Sequence, residues 1–205
     1  GYPIVALLSW DAWPTTNEDY DLYVFNSSGN LIGWSTNDQK GLALPPTEEI
    51  GVLAPANDWY YITIARYWTT RDHHLELYSF YNTFRDHNVL SSSLNDGSTA
   101  VGSFSVGATY WADDNLESFS SRGPTNDGRI KPDISAPDGV ITASYGEGGF
   151  FGTSASAPHT AGAAGLVKSM YPSFSPDQIR IVLEGMAIDM GEPGKDNLFG
   201  SGRLN

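Results

Sequence analysis

The chain has 205 residues, 40% of them apolar, with 24 acidic residues against 11 Lys plus Arg and a formal charge of −13. That length supports one large core or two small ones, and that charge argues against nucleic acid or an anionic membrane as a partner. With no cysteine, disulfides and thiolate zinc sites are excluded, and no run approaches the ~18 apolar residues of a membrane span.

The chain carries no start methionine or signal peptide and opens at Gly1 directly into PIVALLSWD, a strand-like run, as expected of a piece of something longer. Residues 1–81 read as an all-β module. LYVF (22–25), NLIGW (30–34), EEIGVL (48–53), WYYITIARY (59–67) and HHLELYSFY (73–81) are rich in β-branched and aromatic residues and are separated by NSSGN, TNDQKG and PANDW turn clusters. A strand about every ten residues suggests a small antiparallel sandwich. In WYYITIARY, Tyr60, Ile62 and Ile64 alternate with Tyr61, Thr63 and Ala65, the pattern of a half-buried strand.

Within this module Asn17, Glu18, Asp19 and Asp21 form an acidic cluster. Asp19 and Asp21 are candidate calcium ligands, because calcium takes hard oxygen donors, but solvated turn carboxylates explain the cluster equally well. No other metal and no organic cofactor is expected. Trp13, Trp34, Trp59 and Trp68 also fall here; they are expected to pack in the core, the alternative being a ligand-stacking surface.

Residues 82–100 read as a connecting loop, after which the pattern changes. VGSFSVGAT (101–109) suggests a buried strand, residues 119–140 a long loop rich in Pro and Gly, DGVITASYG (138–146) a short strand, and GEGGFFG a tight turn. Asp113-Asp114-Asn115 reads as a plain turn. A helix is expected over about 155–170, apolar nearly all round and therefore buried; Pro158 would fall among its first four N–H groups, where no hydrogen bond is lost. A second helix opens at SPDQ, with Ser175 as N-cap, Pro176 at the first helical position and Gln178 closing a capping box.

Ser154, just ahead of the first helix, is the candidate nucleophile. A serine hydroxyl needs a fixed turn, a base within reach and donors for the developing oxyanion, and a helix N-terminus supplies the first and part of the third. The plain alternative is an N-cap serine.

The stretch GTSASAPHTAGAAGL (152–166) resembles the nucleophile signature of subtilisin-like serine peptidases, Gly-Thr-Ser-x-x-x-Pro-His followed by a small-residue helix. The resemblance extends over roughly 101–205, through Phe119-Ser120-Ser121-x-Gly123-Pro124, Ala136-Pro137, SPDQIRIVL and the closing FGSGRLN. It implies an α/β fold, the C-terminal half of a subtilisin-like doubly wound sheet, preceded here by a β-sandwich similar to prepeptidase C-terminal modules. It also implies that Ser154 is the catalytic nucleophile of a secreted, extracellular endopeptidase acting on protein or peptide substrates, its own N–H forming half of an oxyanion hole. His159 takes a structural place by the same resemblance.

In such enzymes the triad runs Asp, His, Ser along the chain. Neither an Asp-Thr/Ser-Gly nor a His-Gly-Thr tripeptide occurs here, and His73, His74 and His87 lie in other contexts. No convincing Gly-Asn segment supplies the second oxyanion donor; Asn88 stands at a suitable distance but in the unrelated setting RDHNVL. The Asp, His and Asn are therefore expected in an N-terminal part of the catalytic domain outside this chain. The chain alone is expected to be inactive, and a bare edge on its half sheet to promote self-association. The rival expectation is a non-catalytic protein- or glycan-binding module attached to a degenerate peptidase half.

Overall fold

A computed structural model describes the chain from Gly1 to Asn205, apart from the side chain of Asp96. The chain is a mixed α/β structure with several small sheets, divided into two compact units, Gly1–Asn88 and Val89–Asn205.

In the first unit, β1 (Tyr2–Trp10) lies between β4 (Thr47–Ala54) and β6 (Leu75–Ser79), antiparallel to both. A second sheet places β2 (Asp19–Asn26) between β3 (Leu31–Ser35) and β5 (Tyr60–Trp68), again antiparallel. The period-2 alternation of strands sends Ile4, Ala6, Leu8 and Trp10 of β1 to one side, where they meet Tyr20, Leu22 and Val24 of β2 and Ile50 and Ala54 of β4 in one apolar cluster. Tyr60, Ile62 and Ile64, the alternating set on β5, pack against it. Each such aliphatic or aromatic side chain, fully buried, contributes roughly 1.5–3 kcal/mol.

The tryptophans depart from expectation. Trp10 is the one in this core, whereas Trp13, Trp34, Trp59 and Trp68 are 59%, 62%, 57% and 37% exposed. The cause is local: Gly33 and Ser35 are buried, so alternation turns Trp34 to the opposite face of β3, while Trp13 and Trp59 lie in connections and Trp68 ends β5.

The second unit opens with one turn of helix, α1 (Asp96–Thr99), whose N-cap Asn95 accepts from the Ser98 N–H. Next, β7 (Val106–Tyr110) pairs in parallel with β8 (Ile134–Asp138), with Ala108 opposite Ala136. A strand at β8 is not anticipated from the sequence, where ISAPD is absorbed into a Pro-rich loop. Pro137 is accommodated because the pair is short and Pro137 sits one residue from the strand end. Likewise GEGGF is no simple turn: it forms β10 (Gly146–Phe150), which pairs irregularly with β9 (Val140–Thr142).

Helix α2 (Thr153–Met170) packs on β7, β8 and α3 (Pro176–Met186). It begins two residues earlier than expected. Pro158 is consequently its sixth residue, past the free first turn, and the carbonyl of Ser154 lacks its usual i+4 donor. Nor is the helix buried all round: Ala155, Ser156 and Thr160 are covered, but Leu166 and Met170 are 70% and 71% exposed. Two strands ~4.8 Å apart make a strip narrower than the ~10 Å helix it must cover. The α3 capping box forms as expected, with Gln178 N–H donating to Ser175 Oγ and Ser175 N–H to Gln178 Oε1.

The expected bare sheet edge is partly closed. Ala108 N–H donates to Ser120 Oγ at 3.0 Å, the Ala108 carbonyl accepts from Glu117 N–H, and Tyr110 N–H reaches the Asn115 carbonyl. On β8, Ser135 is bonded to Gly202 and Leu204.

Candidate functional site

Ser154 is the second residue of α2 and is exposed. It is not the N-cap; Gly152 is, with φ 108° and no side-chain cap. Such a φ is strained for any residue with a Cβ, so glycine is required where the chain turns out of Phe151 into the helix. As the first two helical residues, Thr153 and Ser154 have backbone N–H groups without intrahelical acceptors. No acidic side chain occupies the first turn, so the positive helix end beside Ser154 is not neutralised.

The turn is anchored from below. Asp138, wholly buried at the end of β8, accepts the Gly152 N–H on Oδ2 at 2.9 Å. Gly139 N–H donates to the Phe150 carbonyl at 2.9 Å, and the Tyr110 ring stacks on Phe151 at 6.2 Å. The connection from Gly139 to Gly152 is thus tied at both ends to the sheet.

A second buried carboxylate stabilises the same unit. Asp133, fully buried, meets Lys131 Nζ at 2.5 Å, Arg180 at 2.8 Å and Lys195 at 3.5 Å, and accepts the Ser105 N–H at 2.7 Å. Burial works to raise its pKa, but hydrogen bonds from Lys131 and Ser105 and the nearby cations prevail and hold it below the ordinary aspartate value. The sequence gives no sign of this centre, because Lys131, Arg180 and Lys195 meet Asp133 only after folding.

Each histidine has its own local setting. His159 Nδ1 donates to the Ala155 carbonyl of its own helix at 2.8 Å. His73 and His74 belong to the first unit and precede β6 rather than lying in it. His73 pairs through Nδ1 with Asp11 at 2.6 Å, which resembles half a triad, but its side chain is 1% exposed, with Nε2 buried 3.8 Å from Glu18 and the ring edge-on to Tyr20. A substrate has no access to it. His87 is exposed at φ 60°, and Asn88 is exposed as well.

Asp19 and Asp21 lie on β2, and both are buried. Burial, then the charges of Asp21, Asp38 and Glu48, push the Asp19 carboxyl up to about 6; its Oδ1 has no hydrogen-bond partner among the described residues. Asp21 accepts from the Tyr23 hydroxyl at 3.0 Å. Among the described residues no three His, Cys, Asp or Glu side chains stand together as a metal-holding group. Asp113 and Asn115 form the expected turn, Asp113 accepting the Asn115 N–H at 3.1 Å.

The model of the Subtilase family, Peptidase S8, matches residues 26–202. The chain belongs to the subtilase family. It is 31% identical over 133 residues to the extracellular serine protease of Serratia marcescens, covering 62% of this chain and 13% of that protein. With subtilisin BL of Lederbergia lenta it shares 35% identity over 124 residues, 57% of this chain and 44% of that protein. The solved CspB protease of Clostridium perfringens superposes with a TM-score of 0.65 at 18% identity, over 98% of this chain and 50% of that one; this likeness concerns the fold. The matches therefore span less than half the length of these curated relatives. No helix of the described residues is long and apolar enough to cross a membrane.

Proposed function

We propose that this chain carries the nucleophile half of an extracellular subtilisin-like serine endopeptidase, with residues 1–81 forming a β-sandwich inserted ahead of it. The observation that carries this reading is Ser154 exposed at the open N-terminus of α2, in a turn fixed by Gly152 and Asp138. Ser154 Oγ attacks the scissile carbonyl carbon and passes its proton to a base. The oxyanion accepts a hydrogen bond from the Ser154 N–H, whose position at the helix start leaves it free to donate. The C–N bond then breaks, the amine leaves with the proton, and water hydrolyses the acyl-enzyme.

His159, the histidine of the second unit, is turned to the Ala155 carbonyl of its own helix, and on this reading the base, its aspartate partner and the second oxyanion donor come from a segment outside this chain. Loss of the base from such a triad costs around 10⁶-fold in turnover, and the isolated chain is inactive on this reading. The exposed apolar residues Leu166 and Met170 of α2 are consistent with a larger catalytic domain around it.

A fluorophosphonate probe tests both halves of the reading. The full-length parent is expected to label, and Ser154→Ala to abolish the label; the 205-residue chain is expected to stay unlabelled. Labelling of the parent that survives Ser154→Ala overturns the assignment, and labelling of the chain alone overturns its inactivity. One observation favours the second reading, a binding module: Trp34, Tyr61 and Tyr67 are 62%, 59% and 70% exposed on the first unit. Soluble glycan or peptide shifting their fluorescence would support it.

A further inference from the structure

Asp138 uses only one of its two oxygens. Oδ2 holds the Gly152 N–H, two residues before Ser154; Oδ1 is buried and has no hydrogen-bond donor among the described residues. A buried carboxylate oxygen left so is costly. The acid set beside Asp138 is Glu117, whose carboxyl interacts with the Asp138 carboxylate. Glu117 is held there by its own backbone, N–H to the Ala108 carbonyl at 3.0 Å, next to the bridge between Thr109 and Leu116.

Two ionised carboxylates both lack a donor, so this contact requires a proton between them. Its location follows from the surroundings. Burial first, and then the charge and hydrogen bond of Asp138, raise the Glu117 pKa, with Asp113 adding to the rise and the Ser118 N–H opposing it. None of these largest influences on Glu117 is a cation. Asp114 is paired with Arg203 at 2.7 Å, and His159 on α2 is engaged with its own helix.

We propose that Glu117, in its acid form, donates a hydrogen bond to Asp138 Oδ1 and is thereby a positioning residue for the Gly152–Ser154 turn. The proton lets Asp138 remain an acceptor for Gly152 while both of its oxygens are satisfied. Its loss places two negative charges against each other beneath the turn, pulls Asp138 from the Gly152 N–H, and loosens the start of α2. The pair stands on contacts within this chain; only its consequence for catalysis rests on Ser154 being the nucleophile.

The test is a carboxyl-carbon and amide NMR titration of the isotope-labelled 205-residue chain from pH 4 to 9. Glu117 Cδ is expected to titrate above the ordinary glutamate range, with the Gly152 amide resonance following the same curve. In Glu117→Gln, whose amide donates at every pH, the Gly152 resonance should stay near its wild-type low-pH position throughout. In Glu117→Ala, which offers no donor, it should be displaced even at low pH. A Glu117 carboxyl that titrates in the ordinary range, or a Gly152 titration that persists in Glu117→Gln, overturns the proposal. None of these signals depends on turnover, so failure of the nucleophile assignment in the probe experiment is a separate result.

Discussion

The two units each bury an aspartate and treat it in opposite ways. Asp133 in the second unit is fully covered and faces Lys131, Arg180 and Lys195. Asp19 in the first is 1% exposed, and its named electrostatic neighbours are Asp21, Asp38 and Glu48. Burial disfavours the charged form in both. Cations reverse that effect at Asp133, while acids reinforce it at Asp19, so one carboxyl lies below its ordinary pKa and the other rises to about 6. The formal charge of −13 says nothing about this; what matters is where the few cations go, and three of them converge on one buried oxygen pair.

The largest expected effect breaks the Asp133 centre. Asp133→Ala removes the partner of Lys131, itself only 3% exposed, and leaves that ammonium buried and unpaired. Breaking a buried pair from one side costs about 3–5 kcal/mol. Urea unfolding followed by a probe in the second unit should show that loss, with the first unit unchanged. A loss below about 1 kcal/mol would mean that water reaches Lys131.

The Asp19 side of the comparison has the opposite sign with pH. Its folded pKa of about 6 exceeds the ordinary 3.8, so the folded state holds the proton more tightly. The benefit is fully present below about pH 4 and is lost as pH rises through 6. The difference is worth up to about 3 kcal/mol. Asp19→Asn, neutral throughout, should therefore stabilise the first unit at pH 8 relative to wild type by up to that amount, compared with its effect at pH 4. Thermal unfolding at both pH values checks it. Calcium in the millimolar range tests the metal-ligand expectation for Asp19 on the same samples, since a ligand role requires stabilisation of the wild type that Asp19→Asn abolishes.

These contrasts also explain what the sequence could reveal. Strand alternation made the six strands of the first unit legible, and the Ser175 cap gave the start of α3. The second unit's β8 was hidden because Pro137 and the prolines around it punctuate like a loop, and β10 because three of its five residues are glycine. The buried acids were invisible for a different reason. Lys131, Asp133, Arg180 and Lys195 meet only after folding, as do Glu117 and Asp138, twenty-one positions apart in the chain. Ser154 could be singled out, but the carboxylate that fixes its turn could not.

The smallest effect sharpens the comparison by probing a hydrogen bond that needs no buried charge. Ser175 caps α3 through an exposed hydroxyl that accepts the Gln178 N–H at 3.3 Å, while Gln178 returns a bond to the Ser175 N–H at 2.8 Å. Ser175→Ala removes one half of this box and should destabilise the second unit by about 1 kcal/mol. Because Arg180 on the same helix reaches Asp133, fraying of the first turn of α3 could propagate to the cation cluster. A double-mutant cycle with Asp133→Ala measures this: additive losses mean the cap acts locally, whereas coupling above ~0.5 kcal/mol means that the cap helps hold Arg180 on the buried carboxylate.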